Sequence, residues 1–229
     1  MKGGIAMAST AGLAALEKIT APAAVVFDCD GTLMDTEPCA DAARSTLFAR
    51  RGHVYDDAAR DSLVGLSVTQ GGEVMARLFG GSPLQLAREL EQELLAVVAI
   101  GAEPMPGAMD LVRYLAARVP IAVASNGPRV LLDKSLAHGG LSRWLPITVS
   151  GDDAAAPKPD PACYLAACAA LGVAPTSALA VEDSLIGARA AHAAGMTVLG
   201  VSGLTCGPYV HAHAPALDDA ALRSWFAGW

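Results

Sequence analysis

The sequence is poor in charged and aromatic residues and has no cluster of basic residues. Charged residues make up 17% of the 229 positions, aromatic residues make up 5%, and the formal net charge is −7. Because acidic and basic residues are mixed along the chain, there is no basic face for a nucleic acid and no polybasic run for an anionic membrane. We therefore expect a small-molecule partner, with neither a nucleic acid nor a membrane involved.

Long apolar runs and closely paired cysteines are also missing. No run reaches the roughly 18 to 20 apolar residues of a membrane span. The five cysteines stand at irregular spacings without a Cys-x-x-Cys pair, which argues against a disulfide framework and a zinc knuckle. A reducing cytoplasmic location is expected. Residues 1–20 are interpreted as an N-terminal extension with a short helix, because Glu17 and Lys18 interrupt its apolar stretch.

What the sequence does contain is a series of short apolar runs at helix-sized intervals. Amphipathic stretches separate the last four runs, and each stretch is opened by Pro or Ser and closed by Gly. Strands that alternate with helices predict an α/β fold with a Rossmann-like, doubly wound parallel sheet. The predicted strands are Ala23–Phe27, Ile121–Ser125, Ile147–Ser150, Ala178–Val181 and Thr197–Val201.

The interval after the first predicted strand has a different pattern. It contains some four helical patterns and no convincing strand, and it ends at a linker, "GAEPMPG" at 101–107, which is rich in Gly and Pro. We interpret 37–104 as an all-helical cap domain inserted into the catalytic core. The core is then formed by 21–36 together with 105–229.

Chemically useful side chains follow several of the predicted strands. In open parallel sheets, ligands bind beyond the carboxyl ends of the strands, where loops leave the sheet and helices begin. We therefore expect these side chains to meet at one edge of the sheet. They are Asp28, Asp30, Ser125, Asn126, Lys158, Glu182 and Asp183.

The acidic members of this set require a cation among them. Asp28 and Asp30 are two residues apart, so their side chains share one face of an extended backbone. Two unit charges roughly 4 Å apart repel by about 4 kcal/mol at an effective dielectric constant of 20, and Glu182 and Asp183 add further negative charge. Carboxylate and carbonyl oxygens without His or Cys ligands favour Mg²⁺ over zinc.

The remaining members fit a phosphoryl group beside that metal. The Lys158 ammonium, the Ser125 hydroxyl and free backbone N–H groups around Gly31 and Asn126 would all bind an anion. A buried carboxylate that approaches a phosphate dianion needs a bridging cation and an ammonium group. The sequence therefore predicts a magnesium-dependent phosphoryl-transfer site.

Four short motifs give the chain a family resemblance. "DCDGTLMD", "SNG", "KPDP" and "VEDS", in this order and around a helical insertion, resemble the four motifs of the haloacid dehalogenase superfamily over roughly 23–203. Each motif alone is weak, whereas the ordered set is specific. The resemblance implies a phosphatase or β-phosphoglucomutase-like enzyme with an inserted helical cap.

The resemblance also implies roles for individual residues. Asp28 would be the nucleophile that forms an aspartyl phosphate, and Asp30 would be the general acid and base. The phosphate-binding groups implied are Gly31, Thr32, Ser125, Asn126 and Lys158. The metal ligands implied are an Asp28 oxygen, the Asp30 carbonyl, Asp183 and Glu182, although Glu182 could equally stand behind the ligands.

The predicted activity is Mg²⁺-dependent hydrolysis of a small phosphorylated metabolite, a sugar or sugar-acid phosphate, by a monomer. Asp30 disfavours a dehalogenase and a phosphonatase. The alternative is a phosphosugar mutase, which is weakened because Val64 and Val68 stand where mutases carry basic residues. A distant alternative is a non-catalytic phospho-acceptor switch, which would take up one phosphoryl group and stop.

Several other residues are given structural interpretations. His211 and His213 are expected in a solvated loop, and Cys163 with Cys168 in the core. Arg50–Arg51 is interpreted as a charge pair at a helix C-terminus, and Asp35 with Glu37 as charges at a helix N-terminus. Ser184 is expected to cap the helix that follows it.

Overall fold

The structure, a computed structural model, describes residues 19, 21–204 and 207–229. Its centre is a six-stranded sheet with the order β5-β4-β1-β6-β7-β8, in which every neighbouring pair is parallel. The predicted α/β fold with a doubly wound parallel sheet is confirmed. The strands are β1 Ala24–Phe27, β4 Ile121–Ala124, β5 Thr148–Val149, β6 Ala178–Glu182, β7 Thr197–Gly200 and β8 Ala212–His213.

The sheet is buried on both faces because its strands are apolar throughout. In β1, Val25 and Phe27 pack into one apolar cluster, and Ala24 and Val26 pack into another on the opposite face. Helices cover these two faces, which fixes the ends of the strands in space. The core helices are α5 Ala108–Ala116, α6 Arg129–His138, α7 Ala162–Leu171, α8 Leu185–Ala193 and α9 Ala220–Ala227.

The cap segment consists of four helices between β1 and β4. A separate apolar cluster, which includes Leu47, Phe48, Met75 and Leu90, holds these helices together. The Arg50–Arg51 pair does more than end a helix, since the two side chains form ion pairs with Glu93 and Glu89 of α4. The cap helices are α1 Glu37–Arg50, α2 Asp57–Asp61, α3 Val68–Phe79 and α4 Pro83–Gly101.

Two short structural features were absent from the sequence interpretation. A two-stranded antiparallel ribbon, β2 Met34–Asp35 with β3 Glu103–Pro104, lies where the chain enters and leaves the cap. The prediction of a solvated loop at the histidine pair holds for His211, which is exposed in a bend and whose Nδ1 accepts a hydrogen bond from Val198 N at 3.0 Å. It is wrong for His213, which lies half-buried in β8. Elements of two residues are too short to show a periodicity.

The cysteines and the helices of the structure can be compared with what the composition led us to expect. Cys29, Cys39, Cys163 and Cys168 are buried and free, so the expected core packing of the last two is confirmed. Among the helices that the structure describes, none is both long and apolar enough to cross a membrane. The predicted extension at 1–20 lies outside the described residues, apart from residue 19.

Helices α3 and α4 approach closely at Gly72, and this contact gives a test of the cap. A Cβ at Gly72 would overlap the Pro83 carbonyl oxygen and lie 2.9 Å from Ala87 Cβ. We expect Gly72→Ala to lower the free energy of unfolding by about 1–3 kcal/mol, despite the better helix propensity of Ala. Urea denaturation would measure the free energy of unfolding. Gly203→Ala is the control, because open space surrounds Gly203. Equal stability of the two variants would contradict the close approach.

Candidate active site

The carboxyl ends of three neighbouring strands bring the predicted site residues together. Asp28 follows the central strand β1 and its backbone N–H donates to the Val181 carbonyl at 3.0 Å. Ser125 follows β4 on one side, and Glu182 ends β6 on the other. Because these strands are parallel and adjacent, residues far apart in sequence meet at one edge of the sheet.

The Lys158 ammonium lies at the centre of the site. Its Nζ donates to Asp28 Oδ1 at 2.6 Å, to Glu182 Oε1 at 2.7 Å and to the Tyr164 hydroxyl at 3.2 Å. The side chain is only 3% exposed. Burial by itself lowers the pKa of Lys158, but Asp28 and Glu182 outweigh burial and hold this pKa well above its ordinary value. The ammonium is therefore a permanent charge between two carboxylates.

Glu182 is fully buried and its carboxylate accepts four hydrogen bonds. Oε1 accepts from Lys158 and from the Tyr164 hydroxyl, the latter at 2.7 Å. Oε2 accepts from the Ser184 backbone N–H at 3.1 Å and from its hydroxyl at 3.0 Å. A carboxylate offers about four lone-pair positions, so this one is already saturated with donors. Glu182 is therefore suited to hold the Lys158 ammonium in place.

Two residues of this arrangement lie outside the predicted site. Tyr164 is fully buried in α7, and its phenol contacts both Lys158 and Glu182. The sequence feature that could have indicated Tyr164 is its hydroxyl group, the single one in the otherwise apolar helix sequence "ACYLAACAAL". Ser184 does cap α8 as expected, because its hydroxyl accepts from Gly187 N at 3.0 Å, and it also donates to Glu182.

Asp30 is held by two hydroxyl groups at the border between core and cap. Its Oδ1 accepts from the Thr36 hydroxyl at 2.8 Å, and its Oδ2 accepts from the Ser125 hydroxyl at 3.0 Å. Thr36 immediately precedes α1, the first cap helix. The Ser125 hydroxyl also accepts from Gly127 N at 2.9 Å. In the structure Ser125 therefore positions Asp30, in addition to the phosphate contact predicted for it.

The other predicted phosphate-binding residues occupy different places. Asn126 lines the cavity, and its side-chain Oδ1 accepts from the Lys158 backbone N–H at 2.7 Å, which fixes the lysine loop. Thr32 is fully buried and donates to Asp183 Oδ1 at 3.1 Å, so it supports a carboxylate instead of facing the cavity. Gly31 has φ +84°, and a Cβ there would overlap the Asp183 carboxylate.

Three carboxylates form a group that could hold a metal ion. One ligand atom from each of Asp28, Glu182 and Asp183 lies within 4.8 Å of the other two. The Asp30 side chain is outside this group, which agrees with a contribution through its backbone carbonyl alone. Because all the donors are hard oxygen atoms, the group fits Mg²⁺ better than a soft metal.

The electrostatics of these carboxylates also fit a bound cation. Burial, together with the neighbouring Glu182, raises the pKa of Asp183 to about 7, against the lowering effect of Thr32 and Lys158. Burial likewise raises the pKa of Asp28 well above its ordinary value, even with Lys158 beside it. One ammonium is therefore too little positive charge for three neighbouring carboxylates, two of them buried and one half-buried. A divalent cation would supply the remainder.

A cavity of about 260 Å³ connects this site to the cap. Its core wall includes Asp28, Asp30, Lys158 and Asp183. Its cap wall is formed by α1, α2, the segment at 64–68 that leads into α3, and Leu94 and Val98 of α4. The volume suits a phosphoryl group joined to a small organic group.

Comparison with known proteins agrees with this geometry. A family model described as haloacid dehalogenase-like hydrolase matches residues 22–195. The chain belongs to this hydrolase family. The matched segment of this haloacid dehalogenase-like hydrolase contains every site residue predicted from the sequence, from Asp28 to Asp183. The predicted family and the predicted hydrolase class are confirmed.

Individual relatives cover most of the chain. Validoxylamine A 7'-phosphate phosphatase of Streptomyces hygroscopicus subsp. limoneus is 34% identical over 182 residues, which cover 77% of this chain and 84% of the relative. Fructose-1-phosphate phosphatase YqaB of Escherichia coli (strain K12) is 32% identical over 181 residues, which cover 78% of this chain and 96% of the relative. The crystal structure of CbbY from Rhodobacter sphaeroides in complex with phosphate superposes with a TM-score of 0.75 at 26% identity, covering 88% of this chain and 99% of CbbY.

Gly187 gives a test of the buried carboxylate in this haloacid dehalogenase-like hydrolase. A Cβ at Gly187 would overlap the Glu182 carboxylate, which lies against the first turn of α8. We expect Gly187→Ala to displace Glu182, release Lys158 and lower kcat for p-nitrophenyl phosphate by about a hundredfold or more. The measurement is steady-state phosphate release, with Gly203→Ala as the control. Unchanged kcat in Gly187→Ala would show that the position of Glu182 is unimportant.

Proposed function

We propose that this chain is a Mg²⁺-dependent phosphoric monoester hydrolase that acts on a small phosphorylated metabolite through a phosphoaspartate at Asp28. The observation that carries the proposal is the buried Lys158 ammonium between Asp28 and Glu182, with Asp30 in the same cavity. The names of the relatives support it, because two of them are phosphatases of phosphorylated metabolites and CbbY was crystallised with phosphate.

Asp28 is suited to be the nucleophile. Its Oδ1 is held by Lys158, and this contact reduces the repulsion between the carboxylate and an approaching phosphate dianion. In the first step a carboxylate oxygen of Asp28 attacks phosphorus, and the bond from phosphorus to the ester oxygen breaks. The products of this step are the phosphoaspartate and the leaving alcohol.

Asp30 is suited to move the protons of both steps. The Thr36 and Ser125 hydroxyls each donate to one of its oxygens, so its carboxyl group is held in one orientation in the cavity that Asp28 also lines. It would give a proton to the leaving oxygen in the first step. It would then take a proton from the water that attacks phosphorus in the second step, which frees Asp28 and inorganic phosphate.

The acidic residues of the site would hold the metal ion. Asp28, Asp183 and the Asp30 carbonyl are the proposed ligands, and Glu182 either joins them or stays with its four donors. When bound, the ion would stabilise the negative charge that develops on the phosphoryl oxygens. Thr32 and Gly31 keep Asp183 in place for this purpose.

The alternative functions are less well supported by the cavity. Val64 and Val68 line the cap wall, so the positions where phosphosugar mutases carry basic residues are apolar here. A phospho-acceptor switch has no need for a proton-transferring acid such as Asp30 or for a cap that encloses the acceptor. Hydrolysis with turnover is therefore the proposal that uses all the residues of the site.

The nucleophile and the metal give a first test of this proposal. We expect Mg²⁺-dependent release of phosphate from p-nitrophenyl phosphate, which a chelator abolishes and added Mg²⁺ restores. Asp28→Asn removes the attacking carboxylate and should lower kcat by about a thousandfold or more. Retention of most of the activity in Asp28→Asn would rule out the assigned nucleophile.

The leaving group gives a second test, directed at Asp30. An acid matters most where the departing alkoxide is basic, so the loss in Asp30→Asn should depend on the ester. We expect a loss of about 10²-fold or more for alkyl phosphates and a clearly smaller loss for p-nitrophenyl phosphate. The measurement is kcat/KM across a series of leaving-group pKa values. Equal losses along the series would contradict the acid function.

A further inference from the structure

Four charged side chains at the cap wall form what we call the cap charge network: Glu37, Arg44, Arg60 and Asp41. The first three line the cavity, and Asp41 is the ion-pair partner of both arginines without being part of the lining. Arg44 donates to Glu37 Oε1 at 2.8 Å and lies 3.7 Å from Asp41 Oδ1. Arg60 Nε lies 3.0 Å from Asp41 Oδ2. The two guanidinium groups are thus joined through one aspartate.

Further contacts fix this network in place. The Tyr55 hydroxyl donates to Asp41 Oδ1 at 2.8 Å. Arg44 also donates to the Leu63 carbonyl at 3.2 Å, and only 9% of its side chain is exposed. Arg44 therefore ties α1 to the segment that begins the cap wall at Val64. Such a rigid network presents the same groups to each ligand that enters.

The network as a whole carries no net charge. Its two carboxylates balance its two guanidinium groups, and its neighbours in the cap wall, such as Ala40, Val64, Leu66 and Val68, are uncharged. Among the described residues that line the cavity, each cation has an acidic partner, since Lys158 is paired with Asp28 and Glu182. A second anionic group on the substrate would meet no unpaired cation and would face the Glu37 carboxylate in the lining.

A hydroxylated and uncharged group would fit this wall. Glu37 lines the cavity with 33% of its side chain exposed and offers acceptors, and Arg60 lines it with 46% exposed and offers donors. Hydroxyl groups both donate and accept, so they can bind to both residues without a charge of their own. The Val and Leu side chains can contact the C–H surface of the same ligand.

We propose that the cap charge network selects phosphate esters whose leaving alcohol is a neutral sugar or polyol. Leaving groups with a carboxylate or a second phosphate would bind poorly, because their charge would lose hydration without gaining a partner. This inference rests on the proposed function. It favours sugar phosphates over sugar-acid phosphates, two substrate classes between which the sequence did not decide.

Paired esters that differ only in one charge would test the selection in the unmodified chain. Glycerol 3-phosphate and 3-phosphoglycerate are one such pair, and glucitol 6-phosphate with 6-phosphogluconate is a second. In each pair a CH₂OH group is replaced by a carboxylate. For the pair that gives the higher kcat/KM, we expect the neutral ester to be preferred by about tenfold or more. An equal or higher kcat/KM for the anionic ester would overturn the inference.

Two variants should move this preference in opposite directions. Asp41→Asn removes one negative charge from the network and should reduce the preference by about fivefold to tenfold. Arg60→Gln removes one positive charge and should increase it. Asp61→Asn is the matched control, because Asp61 is exposed, lies beside Arg60 in the sequence and, unlike Asp41, forms no ion pair with Arg44 or Arg60. A preference that stays constant in both network variants, or changes equally in the control, would overturn the inference.

The failure of this inference can be distinguished from the failure of the proposed function. Hydrolysis of p-nitrophenyl phosphate is measured in parallel for each variant. If this ester is hydrolysed and the charge preference is absent, the inference is wrong and the phosphatase assignment stands. If no ester releases phosphate under any metal condition, the proposed function is contradicted, and the inference falls with it.

Discussion

The buried Lys158 ammonium and its two carboxylate partners are the interaction on which the site depends. A buried charge that loses its partner costs several kcal/mol, so Asp28, Lys158 and Glu182 constrain one another strongly. Neighbouring residues hold these three side chains in place. Tyr164 and Ser184 supply Glu182 with donors, and Asn126 holds the lysine backbone. The outcome is an aspartate that is close to a fixed positive charge and still faces the cavity.

Core and cap contribute different properties to the molecule. The core supplies the groups for chemistry, because the ends of adjacent parallel strands meet at one edge of the sheet. The cap supplies a wall on which Glu37, Arg44 and Arg60 lie among mostly apolar residues, with Asp41 paired to both arginines. Thr36 joins the two parts, since it precedes the first cap helix and donates to Asp30. Asp30, the proposed proton-transferring residue, is therefore positioned from the cap side as well as by Ser125.

The sequence was sufficient to predict the sheet and most of the site, for a simple physical reason. Fully buried strands are continuous apolar runs, and functional side chains in such a fold follow the strand ends. What it could not predict depends on contacts between distant residues. The bonds of Tyr164 to Lys158 and Glu182, the placement of Thr32 behind Asp183 and the ion pair of Arg60 with Asp41 all depend on how helices pack. Elements of two residues, such as β8, carry no periodic pattern.

The central claim is that a side chain of the protein itself becomes phosphorylated during hydrolysis. Phosphoaspartate can be reduced by borohydride to homoserine, whereas a free aspartate is unreactive, so the modified position can be located by mass spectrometry of the digested chain. The chain is mixed with Mg²⁺ and a phosphate ester and is then treated with borohydride within the first turnovers. The account predicts homoserine at position 28 and at no other aspartate. An active chain in which residue 28 remains aspartate while another residue is modified would contradict it.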